Sequence, residues 1–146
     1  MRHLPTVARV LLGLVFFVFG LNFFLHFLPQ PAPPPAAGAF FGALMATGYM
    51  MTLLKVTEVV SGALLLSNRF VPLALALLAP VIVNIVFFHA FLEGAATLPL
   101  PLAILGLEIF LAWSYRDVYR PMLRAKNAPS VAVNTSTEAA REHAHA

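Results

Sequence analysis

The sequence predicts an all-α membrane protein: a four-transmembrane-helix bundle with a short interfacial helix before the second span and a disordered C-terminal tail. Three observations carry this reading. Of the 146 residues, 60% are hydrophobic and only 10% are charged, whereas a soluble domain carries roughly 25% charged residues. No Asp, Glu, Lys or Arg occurs between Val10 and Leu54, a run about twice as long as one membrane-spanning helix needs. Finally, the flanking bases alternate in sidedness. Arg2 and Arg9 precede the first apolar segment, Arg69 separates the second span from the third, and Arg116, Arg120, Arg124 and Lys126 follow the fourth. The opposite loops hold no base and only Glu93. The positive-inside bias therefore places both termini in the cytoplasm, and the expected location is the bacterial cytoplasmic (inner) membrane.

The first span is expected from about Val7 to Leu28. The opening "MRHLPTVAR" with its apolar run resembles a secretory signal, but the run exceeds the usual 7–15 residues and carries Asn22 and His26, so it reads as a retained span. "PQPAPPPAAG" (29–38) breaks the chain, because prolines remove helical donors and disfavour helix before them. The apolar block from Ala39 to Leu66 would be ~42 Å long as one helix, against a hydrocarbon core of about 30 Å. Its first part, "AFFGALMATG", is accordingly a short interfacial or re-entrant helix, and the second span runs from about Tyr49 to Leu66. "SNRF" turns the chain into a third span, about Val71 to Leu92. "EGAATLP" turns it into a fourth, about Leu98 to Tyr115. Residues 1–126 form the transmembrane domain. The tail 127–146 mixes small and polar residues without an apolar stripe and is expected to be disordered and cytoplasmic.

Composition also excludes functions. There is no cysteine, so disulfides, thiolate metal sites and cysteine-persulfide chemistry cannot reside in this chain. The bases are scattered and form no basic, aromatic-interleaved face, which argues against nucleic acid as a partner. The two histidines of the terminal "HAHA" read as solvated, and no metal site is expected.

Against the apolar background, a few polar side chains stand out. Asn22 and His26 lie on the first span, Lys55 and Glu58 on the second, Asn84 and His89 on the third, and Glu108 on the fourth. Helical rise places them between the midplane and the outer face. Asn22 and His26 are i, i+4, and Lys55 and Glu58 are i, i+3, so each pair shares a helix face. A charge inside the membrane costs roughly 2.5–3.5 kcal/mol on insertion scales and normally faces the bundle interior with a partner. These seven residues are therefore the candidate polar intramembrane cluster, with Lys55 compensating Glu58 or Glu108. Pro80 removes the donor to the Ala76 carbonyl one turn before Asn84, which favours a kink there.

The segments "RVLLGLVFFVFGLNFF", "KVTEVVSGALLL" and "RFVPLALALLAPVIVNIVFFH", followed by a short fourth span, resemble the DoxX family of small four-helix membrane proteins over about Pro5 to Arg120. The resemblance implies a four-helix membrane bundle in which Asn22, Glu58, Asn84 and His89 are the shared polar positions. It also implies a link to membrane-associated redox or oxidative-stress systems. The family takes its name from a relative of the membrane subunit of a thiosulfate:quinone oxidoreductase.

Three functional classes follow from the residues and the resemblance together. The leading expectation is a partner or scaffold subunit of a membrane complex, which would use the polar cluster to specify the bundle and the "PAPPPAAG" segment to dock another protein. A quinone-linked oxidoreductase subunit would use the cluster to hold a quinone head group, with a redox partner supplying electrons. A small-molecule or proton-coupled transporter is the third class.

Overall fold

The computed structural model describes residues 3–122 and residue 125. Arg2, Arg124, Lys126 and the expected tail 127–146 lie outside the described residues. The chain divides into two units, Met1–Arg116 and Asp117–Ala146. The first contains α1 (Leu4–Leu25), α2 (Pro35–Ala46), α3 (Met50–Leu66), α4 (Val71–Phe88) and α5 (Pro99–Ser114). A π-helical turn, His89–Glu93, continues α4, and a 3-10 turn, Ala95–Thr97, leads into α5. A last turn, α6 (Arg116–Tyr119), follows, and in the second unit Asp117 and Arg120 stand 3.3 Å apart. No strand occurs among the described residues.

Proline opens α1, α2, α4 and α5 in their first turns. Its missing N–H is there one of the donors that has no intrahelical acceptor, so the ring presets the helix at little cost. α1 ends at Leu25, three residues before the sequence expectation, because His26 takes a left-handed conformation at φ 52° and caps the helix. α2 and α3 meet at an angle of 96°. The hydroxyl of Thr47 donates to the Leu44 carbonyl and accepts from the Met50 amide, while Gly48 supplies a φ of +76°. Those bonds satisfy the backbone where one helix stops and the other starts.

α1 and the segment Val71–Glu93 are each long and apolar enough to cross a membrane; the bent pair α2–α3 and the shorter apolar helix α5 accompany them. This is a helical integral membrane protein, and its apolar exterior meets the lipid bilayer. Side chains such as Leu53, Phe87 and Phe91 point outwards. α1 packs against α3 and α5, and α4 packs against the same two, so the four long helices close a ring. Leu12, Leu65, Leu75, Leu78, Ile82 and Leu111 fill its centre without solvent exposure.

Lipid is as apolar as a leucine core, so close packing rather than water exclusion holds membrane helices together. The crossing of α1 with α3 relies on glycine for that closeness. A β-carbon placed on Gly62 would lie 2.6 Å from the Phe17 backbone nitrogen and 2.9 Å from the Gly13 carbonyl oxygen. One placed on Gly20 would lie 2.9 Å from Val59 and 3.2 Å from the Glu58 β-carbon. Farther down the same crossing, buried Arg9 donates to the Leu65 carbonyl and, at 3.3 Å, to that of Leu66. Arg9 thus binds the last carbonyls of α3, a structural duty beyond its sidedness signal.

Candidate functional site

The glycine-lined crossing brings the middle of α3 against the end of α1, and the site is built there. Glu58 is 3% exposed. Lys55, one turn earlier, donates to its Oε2 at 2.8 Å. Within the bundle, the alternative partner expected for Lys55 is left alone: Glu108 on α5 is buried, and its Oε2 has no hydrogen-bond partner. Ser61 Oγ, one turn below Glu58 on α3, is also buried and unpartnered.

Asn22 ends its helix by a different use of its amide. Its Oδ1 accepts from the Leu28 N–H at 2.6 Å, and its Nδ2 donates to the Leu28 carbonyl at 3.3 Å. The side chain clips the chain back after α1 and starts the proline-rich segment across that end of the bundle. α2 then docks through aromatic contacts, with the Phe88 ring 4.8 Å from Phe41 and 5.7 Å from Phe40. Such ring pairs contribute about 0.5–1.5 kcal/mol beyond their buried area.

Beneath this roof lies a cavity of about 600 Å³. Phe19, Phe23, Phe41, Phe88 and Met51 give it apolar walls, and Asn22, Lys55, His89, Glu93, Gln30 and Thr97 give it polar groups. Small-molecule pockets are typically about 300–1,000 Å³, mostly apolar, with few convergent polar groups. His89 is held firmly. Its Nδ1 donates to the Ile85 carbonyl at 2.7 Å, since a carbonyl can only accept, and its Nε2 stands 3.3 Å from Glu93 Oε2. Both residues lie in the π-helical turn, a local geometry frequent at functional sites.

Of the seven sequence candidates, the cavity gathers Asn22, Lys55 and His89, with Glu58 behind Lys55 as its counter-ion. Glu108 sits in the bundle without lining it. His26 and Asn84 are exposed: His26 is spent on capping α1, and Asn84 lies on the outward side of α4. Sequence reasoning treated Glu93 as a loop residue. Its i, i+4 relation to His89 was the available signal.

The DoxX family model matches residues 4–90, more than half of the chain. The chain belongs to the DoxX family. The matched region contains the proline-rich roof, the Lys55–Glu58 pair and His89, and stops before Glu93 and Glu108. No curated protein and no solved structure matches this DoxX-family chain. Among the described residues there is no group of three or more His, Cys, Asp or Glu side chains able to hold a metal ion.

Proposed function

We propose that this DoxX-family protein is a four-span subunit of the bacterial cytoplasmic membrane, with both termini cytoplasmic, that holds a quinone head group in its outer-half cavity on behalf of a redox partner. The single observation that carries this reading is the roofed cavity, aromatic on its walls and furnished with hydrogen-bond donors at one side. A flat ring would lie against the walls formed by Phe19 and the Phe41–Phe88 pair, where a carbonyl oxygen would accept from Lys55, and His89 Nε2, with the ring proton on Nδ1, would accept from a quinol hydroxyl. A quinone, when bound, supplies two-electron, two-proton chemistry; the chain's own residues bind the ring and orient it. Lys55 suits this task because Glu58 fixes its ammonium at the cavity wall. The ring closed by α1, α3, the α4 segment and α5 supports the reading of four spans.

Purification in a mild detergent followed by mass spectrometry of the extracted small molecules tests the reading. The expected result is a co-purifying quinone in near-stoichiometric amount that is lost in a folded His89→Leu variant. Protein that carries no quinone, or equal quinone in both proteins, overturns it.

A second reading is a partner or scaffold subunit, favoured by the roof itself. Residues 29–34 are all exposed and non-helical, and this proline-rich run presents a preformed extended surface to another protein.

A further inference from the structure

Along α4 and the π-helical turn that continues it runs a face that nothing covers among the described residues. Leu73, Leu77, Pro80, Asn84, Phe87 and Phe91 are all exposed. Their spacings of four, three, four, three and four are those of one helix face, which can be lettered as a heptad seam flanked by exposed Ala76 and Val83. Leu77, Asn84 and Phe91 occupy a positions, and Leu73, Pro80 and Phe87 occupy d positions. The residues that follow in the e positions, Ala74, Val81 and Phe88, are buried in the chain's own bundle. The seam therefore points away from the ring of helices and cannot be an internal contact.

The single polar member decides what should cover it. Asn84 lies ~20 Å along the helix from Val71 and ~14 Å from Glu93, well inside a hydrocarbon core of about 30 Å. Its amide has no hydrogen-bond partner among the described residues, and lipid offers none. An asparagine amide is both donor and acceptor, so two copies facing each other at equal depth satisfy one another reciprocally. Copies of one chain insert with the same orientation, and a two-fold axis along the membrane normal brings identical faces together at identical depth. One asparagine at an a position is also the device that fixes register and helix number in parallel coiled coils.

We infer that the Leu73–Phe91 face of α4 is the seam of a parallel homodimer, locked in register by reciprocal Asn84 amide bonds. This assignment is independent of what the outer cavity holds. It also separates the roles of two polar residues on α4: His89 serves the cavity of its own chain, and Asn84 serves the second copy.

The test uses the full chain, labelled with donor and acceptor dyes and reconstituted into phosphatidylethanolamine–phosphatidylglycerol vesicles over a range of protein-to-lipid ratios. Energy transfer should report a dimer, and Asn84→Leu should weaken it by about tenfold, the scale of one strong interhelical amide interaction. Leucine is at home in lipid, so this variant should remain folded. Because the chain has no cysteine, single cysteines report unambiguously. Leu77→Cys and Phe87→Cys should each form a disulfide-linked dimer on oxidation, and Ile109→Cys on the exposed side of α5 should not. A chain that stays monomeric at every ratio, a dimer indifferent to Asn84→Leu, or cross-linking through Ile109→Cys in place of the two α4 positions would overturn the inference.

Discussion

Replacing Lys55 by methionine isolates the central electrostatic feature of the bundle. The pair is 2.8 Å apart, with the Lys55 side chain 20% exposed and the Glu58 side chain 4% exposed. At an effective dielectric constant of about 20, two unit charges at this separation attract by about 6 kcal/mol. Desolvation of the carboxylate consumes much of that, so the net value of the pair against an apolar replacement is small. Breaking it is another matter. Lys55→Met strands a buried carboxylate without its counter-ion, and removal of one partner from a buried pair costs about 3–5 kcal/mol. Glu58→Gln should cost less, about 1–2 kcal/mol, because the Lys55 side chain retains access to the cavity and the amide still accepts its bond. The double variant removes the charge conflict and should be close to Glu58→Gln alone, giving a coupling of about 3–5 kcal/mol. Equilibrium unfolding in mixed micelles of a mild detergent and dodecyl sulfate measures all four corners of this cycle. Additive single effects, with coupling under about 0.5 kcal/mol, would refute the claim that the two charges hold each other within the bundle.

Two further predictions follow from the α1–α3 crossing. Gly62→Ala should destabilise the fold by about 1–3 kcal/mol in the same assay, because the added methyl meets the backbone of Phe17 and Gly13, which cannot rotate away; Gly42→Ala, where nothing lies within 4 Å, serves as the control and should be nearly silent. Arg9→Met should cost about 1.5–3 kcal/mol, since it leaves the Leu65 and Leu66 carbonyls without their charged donor. Hydrogen exchange should then rise in the last turn of α3, and unchanged exchange there would count against the capping role.

Parts of this architecture were legible because they are local. The Lys55–Glu58 bond joins residues one turn apart, so their spacing alone anticipates it. The 96° break between α2 and α3 was likewise visible in length arithmetic, because one straight helix would overrun the hydrocarbon core. The end of α1 was misplaced by three residues because "LHF" is as apolar as the helix before it. The left-handed turn at His26 and the bond from Asn22 to Leu28 stop the helix together, and a side chain that reaches six residues ahead leaves no periodic trace.

What the sequence determined by itself is the solvent: too few charges and runs too long for water dictate helices in lipid, and prolines mark where those helices begin. Which way each helix turns was decided only by the tertiary structure. In a soluble protein the polar side reveals the outward face, but lipid and core are equally apolar, so α4 reads the same all round. Asn84 and Glu108 therefore look alike in the sequence, as lone polar residues within apolar spans. Packing sends Glu108 into the bundle and Asn84 out of it. The cavity, too, is a half-open pocket that exists only because residues 30–34 and Phe41 meet side chains from α1, α3 and the end of α4, an arrangement that no single segment encodes.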